Sequence, residues 1–249
     1  MTTTLYAIPA SHPCAAVEAA LRLKQVPYTR IDLPPLISRV ALRRRFGHGT
    51  VPAIVFGDGA RVVGSRSILR VLDERAPEPL LFPPEDDERR LPVQRAEEWG
   101  EEVLQPLTRR VIWAALDRRP SAMQSYAADA SLPIPPLAAR LSAPLVAAAA
   151  RRVNQAGDVD VRADLLHLDS HLRRVEGWLD DGTLGREAPN AADLQIGASV
   201  RLLLTIEDVA ARIDRRGAAA LARRWFPDFP GRVPAGALPP AWLHGIAGL

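Results

Sequence analysis

Four consecutive residues, Ser11-His12-Pro13-Cys14, bring a hydroxyl, an imidazole and a thiol together. They sit where the apolar run Leu5-Tyr6-Ala7-Ile8, read as a buried strand, gives way to Val17, Ala20, Leu21 and Leu23 at helical spacing over 13–24. Pro13 suits a first helical turn, where a missing N–H costs nothing and φ is already set. Ser11 therefore stands at or just before a helix N-terminus, with free N–H groups and a positive dipole end beside it. Such a place holds an anion, a thiolate included. A serine there reads either as a plain helix cap or as a hydrogen-bond donor to a bound thiolate. Cys14, inside the first turn, reads as packing, or as a redox thiol if its pKa is low. His12 adjoins Ser11 in sequence and adjacent residues seldom face each other, so it reads as a surface or substrate-contacting residue.

Other residues carry weaker signals. His167 and His171 stand at i, i+4 with Asp164 and Asp169 nearby, which is half of a helical metal site. No third ligand accompanies them, and they flank the apolar seam of Leu168 and Leu172, so a half-buried helix face is the simpler account and no metal is expected. Glu97-Glu98 and Glu101-Glu102 occur among Arg95, Arg109 and Arg110 and read as a solvated or dimer-facing surface. Trp99 and Trp113 stand at helical spacing, where aromatic residues are more often core, and one of them is expected to border an apolar pocket.

The elements that must position these residues alternate at first. Strands are expected at 3–8, 28–33, 51–56 and 61–63, and helices at 13–24, 37–46 and from Ser65 to before Pro77. In the second helix Ile37, Val40, Ala41 and Leu42 are expected to face inward. Gly57-Asp58-Gly59 is a hairpin turn between the last two strands. The order β-α-β-α-β-β-α implies one small sheet flanked by helices. Pro77, Pro79, Pro83 and Pro84 make a linker, and no strand is evident beyond it. A long helical stretch over 86–116 is expected to kink at Pro92 and Pro106. Residues 117–136 are irregular, and helices follow at 137–153, 161–179, 191–205 and 208–226. The Pro- and Gly-rich tail keeps Trp242, Leu243 and Ile246, which suggest that it packs. This gives an α+β organisation: residues 1–78 as a sheet-and-helix domain, 79–85 as linker, and 86–249 as an all-helical domain.

Composition narrows the function classes. The chain has 249 residues, 47% of them apolar and 24% charged, and a net charge of 32 − 29 = +3, ordinary values for a globular protein. Arginine carries nearly all of the positive charge, since Lys24 is the sole lysine. No basic stripe with interleaved aromatics points to nucleic acid. No apolar run approaches the roughly 20 residues that span a bilayer, and the Met-Thr-Thr-Thr start lacks the pattern of a signal peptide, so a cytoplasmic location is expected. One cysteine excludes an intrachain disulfide.

The whole pattern resembles the cytosolic glutathione S-transferase family. Leu5-Tyr6 followed by Ser11-His12-Pro13-Cys14-Ala15-Ala16-Val17 is similar to the Ser-x-Pro-Cys-Arg-x-Val stretch of the theta and delta classes. Gly49-Thr50-Val51-Pro52 resembles the family's Gly-x-Val-Pro, Gly64-Ser65-Arg66-Ser67-Ile68 its Glu-Ser-x-x-Ile, and Asn190-Ala191-Ala192-Asp193 its Ser/Thr-x-x-Asp capping box. The resemblance implies a thioredoxin-like N-terminal domain, an all-α helical bundle, and a homodimer with its active site in the cleft between domains. It implies Ser11 as the catalytic residue. Thr50, Val51 and a cis-Pro52 would hold the backbone of glutathione or another low-molecular-weight thiol, and Ser65 and Arg66 its carboxylate. The thiol is a cosubstrate, with no permanently bound cofactor and no metal. His12, Trp113, Met123 and Tyr126 are expected at the site of an apolar electrophile, with residues 117–136 near its mouth. Three positions depart from the pattern: Gly64 replaces a Glu or Gln, Phe46-Gly47 an Asn-Pro, and Thr50 a Lys or Gln. A non-catalytic binding or regulatory module of the same fold, and a thiol reductase working through Cys14, stand as alternative readings.

Overall fold

A computed structural model describes residues 2–35 and 38–243, with only the backbone at Ser38. Ile37 and Ile246 lie outside the described residues.

The first strand, β1 (Thr3–Ala7), sets the architecture because it is buried between two partners. It pairs in parallel with β2 (Tyr28–Asp32) and antiparallel with β3 (Ala53–Val55), which in turn pairs antiparallel with β4 (Arg61–Val63). The four-stranded sheet runs β2-β1-β3-β4. Helix α1 (His12–Leu23) crosses over between the parallel strands, and α2 (Ser38–Phe46) and α3 (Ser65–Arg75) complete a thioredoxin-like unit. Edge strand β2 carries Arg30 and Asp32, charges that discourage pairing with another sheet even though Ile31 between them is exposed. In α2 only Leu42 of the expected inward residues 40–42 is buried, whereas Val40 and Ala41 face solvent. The three arginines in the last turn of that helix leave it little apolar surface to commit.

The rest of the described chain is helical. Helices α4 (Arg90–Trp99) and α5 (Gln105–Arg118) are joined by a π-helical turn, Gly100–Leu104. The kink expected at Pro92 is missing because Pro92 falls in the first turn of α4, where no N–H is needed. At Pro106 the expectation is closer: its ring cannot donate to the carbonyl four residues back, and the helix widens just before it. A 3₁₀ turn (Pro120–Ala122) and α6 (Met123–Tyr126) give partial order to the stretch read as irregular. Then follow α7 (Pro136–Val153), α8 (Asp158–Asp180) and α9 (Ala191–Leu203). The last long helix expected, 208–226, is two: α10 (Glu207–Ile213) and α11 (Gly217–Trp225). Glu176 causes the break by accepting two hydrogen bonds from Arg216 and one from the N–H of Gly217, capping α11 from another helix.

Helix α9 is buried on nearly all sides, and a full capping box opens it. The Asn190 side chain accepts from the N–H of Asp193 at 3.0 Å, and the Asp193 carboxylate accepts from the N–H of Asn190 at 3.0 Å. One continuous apolar core runs from Leu5 and Ala7 through α1 and α9 to Phe226. The tail does pack. The Asp208 carboxylate accepts from the N–H groups of Gly236, Ala237 and Leu238, and α12 (Pro240–Leu243) sets Trp242 against the Arg118 guanidinium.

The 76–80 stretch is held by Lys24. Its side chain is fully buried, and its ammonium donates to Asp73 at 2.9 Å and to the carbonyls of Ala76 and Pro79. The same Asp73 carboxylate accepts from the N–H of Leu81 at 2.7 Å.

Candidate functional site

The loop between β1 and α1 opens onto a cavity of about 670 Å³. Its floor comes from Ser11, His12 and the Gly49–Val51 segment, and its walls from α5, α6 and α7. Ser11 holds the N-cap position in extended conformation (φ −70°, ψ 115°), yet its hydroxyl makes no capping hydrogen bond. The plain-cap reading loses its main interaction, and the hydroxyl has the Cys14 thiol as its neighbour instead.

Cys14 and His12 both turn inward. Burial pushes the Cys14 thiol up to about 11, against smaller opposing effects of the Ser11 hydroxyl and the Ile8 backbone. The thiolate that a reductase needs is therefore disfavoured. His12 is not a surface residue: it is 2% exposed, and Nδ1 lies 3.1 Å from the Ser199 hydroxyl. Ser199 already donates its only hydroxyl proton to the carbonyl of Gln195, so it accepts from His12 Nδ1–H. The ring thereby ties α1 to α9 as a neutral tautomer. Burial first, and then the charge of Arg109, hold its pKa well below the usual imidazole value.

Thr50 and Val51 line the cavity, and the Val51–Pro52 peptide is cis. Among the described residues, the N–H and C=O of Val51 find no hydrogen-bond partner. Pro52 itself lies outside the wall, its carbonyl accepting from the N–H of Gly64. Ser65 and Arg66 also lie outside it. The Ser65 hydroxyl is buried and accepts from Gln105 Nε2 at 3.3 Å, and Arg66 pairs with Glu97 and Glu98. Gly64 has φ +91°, a left-handed conformation in which a Glu or Gln side chain would be strained. With glycine as N-cap, no side chain covers the first N–H groups of α3.

On the helical side, Trp113, Met123 and Tyr126 line the cavity as expected positions, joined by Leu132 and Ile134. Tyr126 presents only its ring. Thr205 donates to the Leu202 carbonyl, so the phenol donates to Thr205 at 2.7 Å, and burial pushes its pKa up to about 12. The 127–135 segment reaches back to the sheet, where Ser131 N–H donates to Asp32 at 3.0 Å. Trp99 is core, packed against Trp178 and His171. The glutamates divide: Glu98 and Glu102 are exposed, but Glu97 is completely buried between Arg66 and Arg70, so it does not belong to a solvated face. Among the described residues, no cluster of three His, Cys, Asp or Glu is placed to hold a metal ion.

Arg109, read as part of that polar face, instead lines the cavity. The signal was present in the spacing: Pro106, Arg109, Trp113 and Leu116 recur at helical intervals on the face that carries the tryptophan.

Residues 5–80 match the glutathione S-transferase N-terminal domain family. Among solved structures, FzlA from C. crescentus superposes with a TM-score of 0.60 at 17% identity, covering 98% of this chain and 99% of that one. A glutathione S-transferase from Rhodospirillum rubrum F11 gives 0.55 at 20% identity, covering 95% and 98%. The chain has the glutathione S-transferase fold. A further glutathione S-transferase, from Methylobacterium radiotolerans in complex with glutathione sulfonate, gives 0.55 at 18% identity over 90% of each chain. No match is found among curated proteins. Within the glutathione S-transferase fold, the cavity lies between the thioredoxin-like unit and the helices that follow it. Among the described residues, no helix is long and apolar enough to cross a membrane.

Proposed function

We propose that the protein is a glutathione S-transferase-like enzyme that activates a thiol, glutathione in the first instance, for attack on an apolar electrophile. The observation that carries this reading is Ser11, a helix N-cap whose hydroxyl does no capping and which lines the cavity. A donor aimed at sulfur at the positive end of α1 stabilises thiolate over thiol and raises the nucleophile's population near neutral pH. Ser11 then needs no base, because it is a hydrogen-bond donor and not the nucleophile. Thr50 and Val51 would hold the thiol's backbone beside Pro52, which the unpartnered N–H and C=O of Val51 support. The uncapped first turn of α3, at Ser65 and Arg66, would receive a carboxylate through its backbone N–H groups. Trp113, Met123 and the ring of Tyr126 would contact the electrophile. The same reading takes 1–78 as the thiol-binding domain, 79–85 as linker and 86–249 as the electrophile-binding domain, in a cytoplasmic homodimer.

Ser11→Ala tests it, with glutathione and 1-chloro-2,4-dinitrobenzene as substrates. Turnover should fall about 10²- to 10³-fold, as for loss of one donor to a developing anion, while glutathione affinity by calorimetry changes less than threefold. Full activity in the variant sinks the assignment. A second reading, a binding module without catalysis, is favoured by Gly64, which removes a side chain from the thiol's amine, and by the engagement of the Ser65 hydroxyl with Gln105. Wild-type protein that binds neither glutathione nor another small thiol would decide for it.

A further inference from the structure

The cavity wall is apolar for most of its area, and the charges it does carry are of one sign. Three arginines, Arg39, Arg109 and Arg110, line it, and among the described residues no aspartate or glutamate does. The three are not equivalent. Arg110 is spent on Asp164, which it meets through two hydrogen bonds of 2.6 and 2.7 Å. Arg39 belongs to α2, beside the Gly49–Val51 edge where the thiol is proposed to lie.

Arg109 stands on α5 with Ile112, Trp113 and Leu116, on the electrophile side. Among the described residues it has no hydrogen bond to a side chain or carbonyl and no ion pair, although it is only partly exposed. Its charged neighbours do not compensate it. Arg110 repels it, Glu101 attracts it without forming an ion pair, and His12 is held neutral beside it. A half-buried guanidinium facing an apolar cavity loses hydration and gains nothing in exchange until an anion arrives. Its planar fork suits a carboxylate, which it can meet with two parallel hydrogen bonds.

We propose that the electrophile site takes an amphipathic acid: an apolar body held by Trp113, Met123 and Leu116, with a carboxylate on Arg109. This deepens the transferase reading by naming the chemical class of the second substrate, and it rests on that reading only for the word substrate. The cavity, at about 670 Å³, is within the range that encloses small organic ligands.

The test is a pair of probes of equal shape, 1-pyrenebutyrate and 1-pyrenebutanol, titrated by pyrene fluorescence. Wild-type protein should bind the acid at least about tenfold more tightly than the alcohol. Arg109→Met should abolish that preference by weakening the acid alone, and Arg109→Lys should restore part of it. Glutathione affinity in Arg109→Met should stay within threefold of wild type; its loss would put Arg109 on the thiol's own carboxylate and overturn the proposal. Equal binding of both probes, no binding of either, or equal weakening of both in Arg109→Met would also overturn it. The wild-type comparison stands by itself if Arg109→Met fails to fold. Because no thiol or turnover enters the probe titration, it can fail while the Ser11→Ala experiment succeeds, and the reverse.

Discussion

Replacing Lys24 with methionine keeps most of the side chain's volume and apolar stem and removes only its ammonium. That ammonium is fully buried and donates to Asp73 and to the carbonyls of Ala76, Pro77 and Pro79. In the variant, a carboxylate that is 14% exposed loses the one cation it pairs with among the described residues, and the three carbonyls lose a donor. Breaking a buried pair from one side costs about 3–5 kcal/mol, chiefly through the charge left behind. Asp73 still accepts from Leu81 N–H, which argues for the lower half of that range. For a chain of this size each kcal/mol moves Tm by about 2–4 °C, so a fall of roughly 6–15 °C follows. Thermal unfolding followed by far-UV circular dichroism measures that fall, and urea unfolding followed by tryptophan fluorescence gives the free energies, with Asp73→Asn and the double variant completing a cycle. The double variant should be less destabilised than the two single losses added together. A Lys24→Met protein within 1 kcal/mol of wild type, or strict additivity in the cycle, would refute the reasoning that this ion pair anchors the segment after α3.

The remaining predictions concern other buried groups. With its pKa raised from 9.0 to about 11, Cys14 should have about one hundredth of the ordinary thiolate population at pH 8. Iodoacetamide should therefore label it at least that much more slowly in the native protein than in 8 M urea; comparable rates would contradict its burial. Gly231→Ala would place a Cβ about 2.0 Å from the Tyr126 ring in a backbone of φ +100°. Overpacking and strain together should cost about 2–4 kcal/mol, read as a lower urea midpoint and partly recovered in Gly231→Ala/Tyr126→Ala. An unchanged midpoint would mean that the ring moves aside freely.

What could be read from the chain and what could not divide along a physical line. The strand before Ser11, the helix after it, the Gly57-Asp58-Gly59 hairpin and the Asn190/Asp193 box are announced by residues within a few positions of one another, and all are present. The burial of polar residues is illegible in the local sequence where the partner is distant. Glu97 is buried because Arg66 and Arg70 arrive from the other side of the fold, and His12 because Ser199 lies 187 positions away. Arg109 has acidic neighbours in sequence, but its place is set by the face of α5. Likewise the break between α10 and α11 is made by Glu176, a residue that no inspection of 207–226 includes. Met123 and Tyr126 are expected at the cavity from the resemblance alone; both line it, and the Tyr126 phenol is turned away to Thr205, a partner 79 positions along the chain.

The π-helical turn at Gly100–Leu104 has a consequence for how such a cavity can change. Its wider winding houses one residue more than an α-helical turn does, while α4 and α5 run on either side of it. Deleting one residue there would restore ordinary winding and leave Arg109 and Trp113 on the cavity face, because the wide turn already absorbs the rotation of about 100° that one residue adds. The same deletion a few residues later, between Pro106 and Arg109, would swing both side chains out of the cavity, so the turn marks the place where the helix tolerates a change of length and α5 the place where it does not.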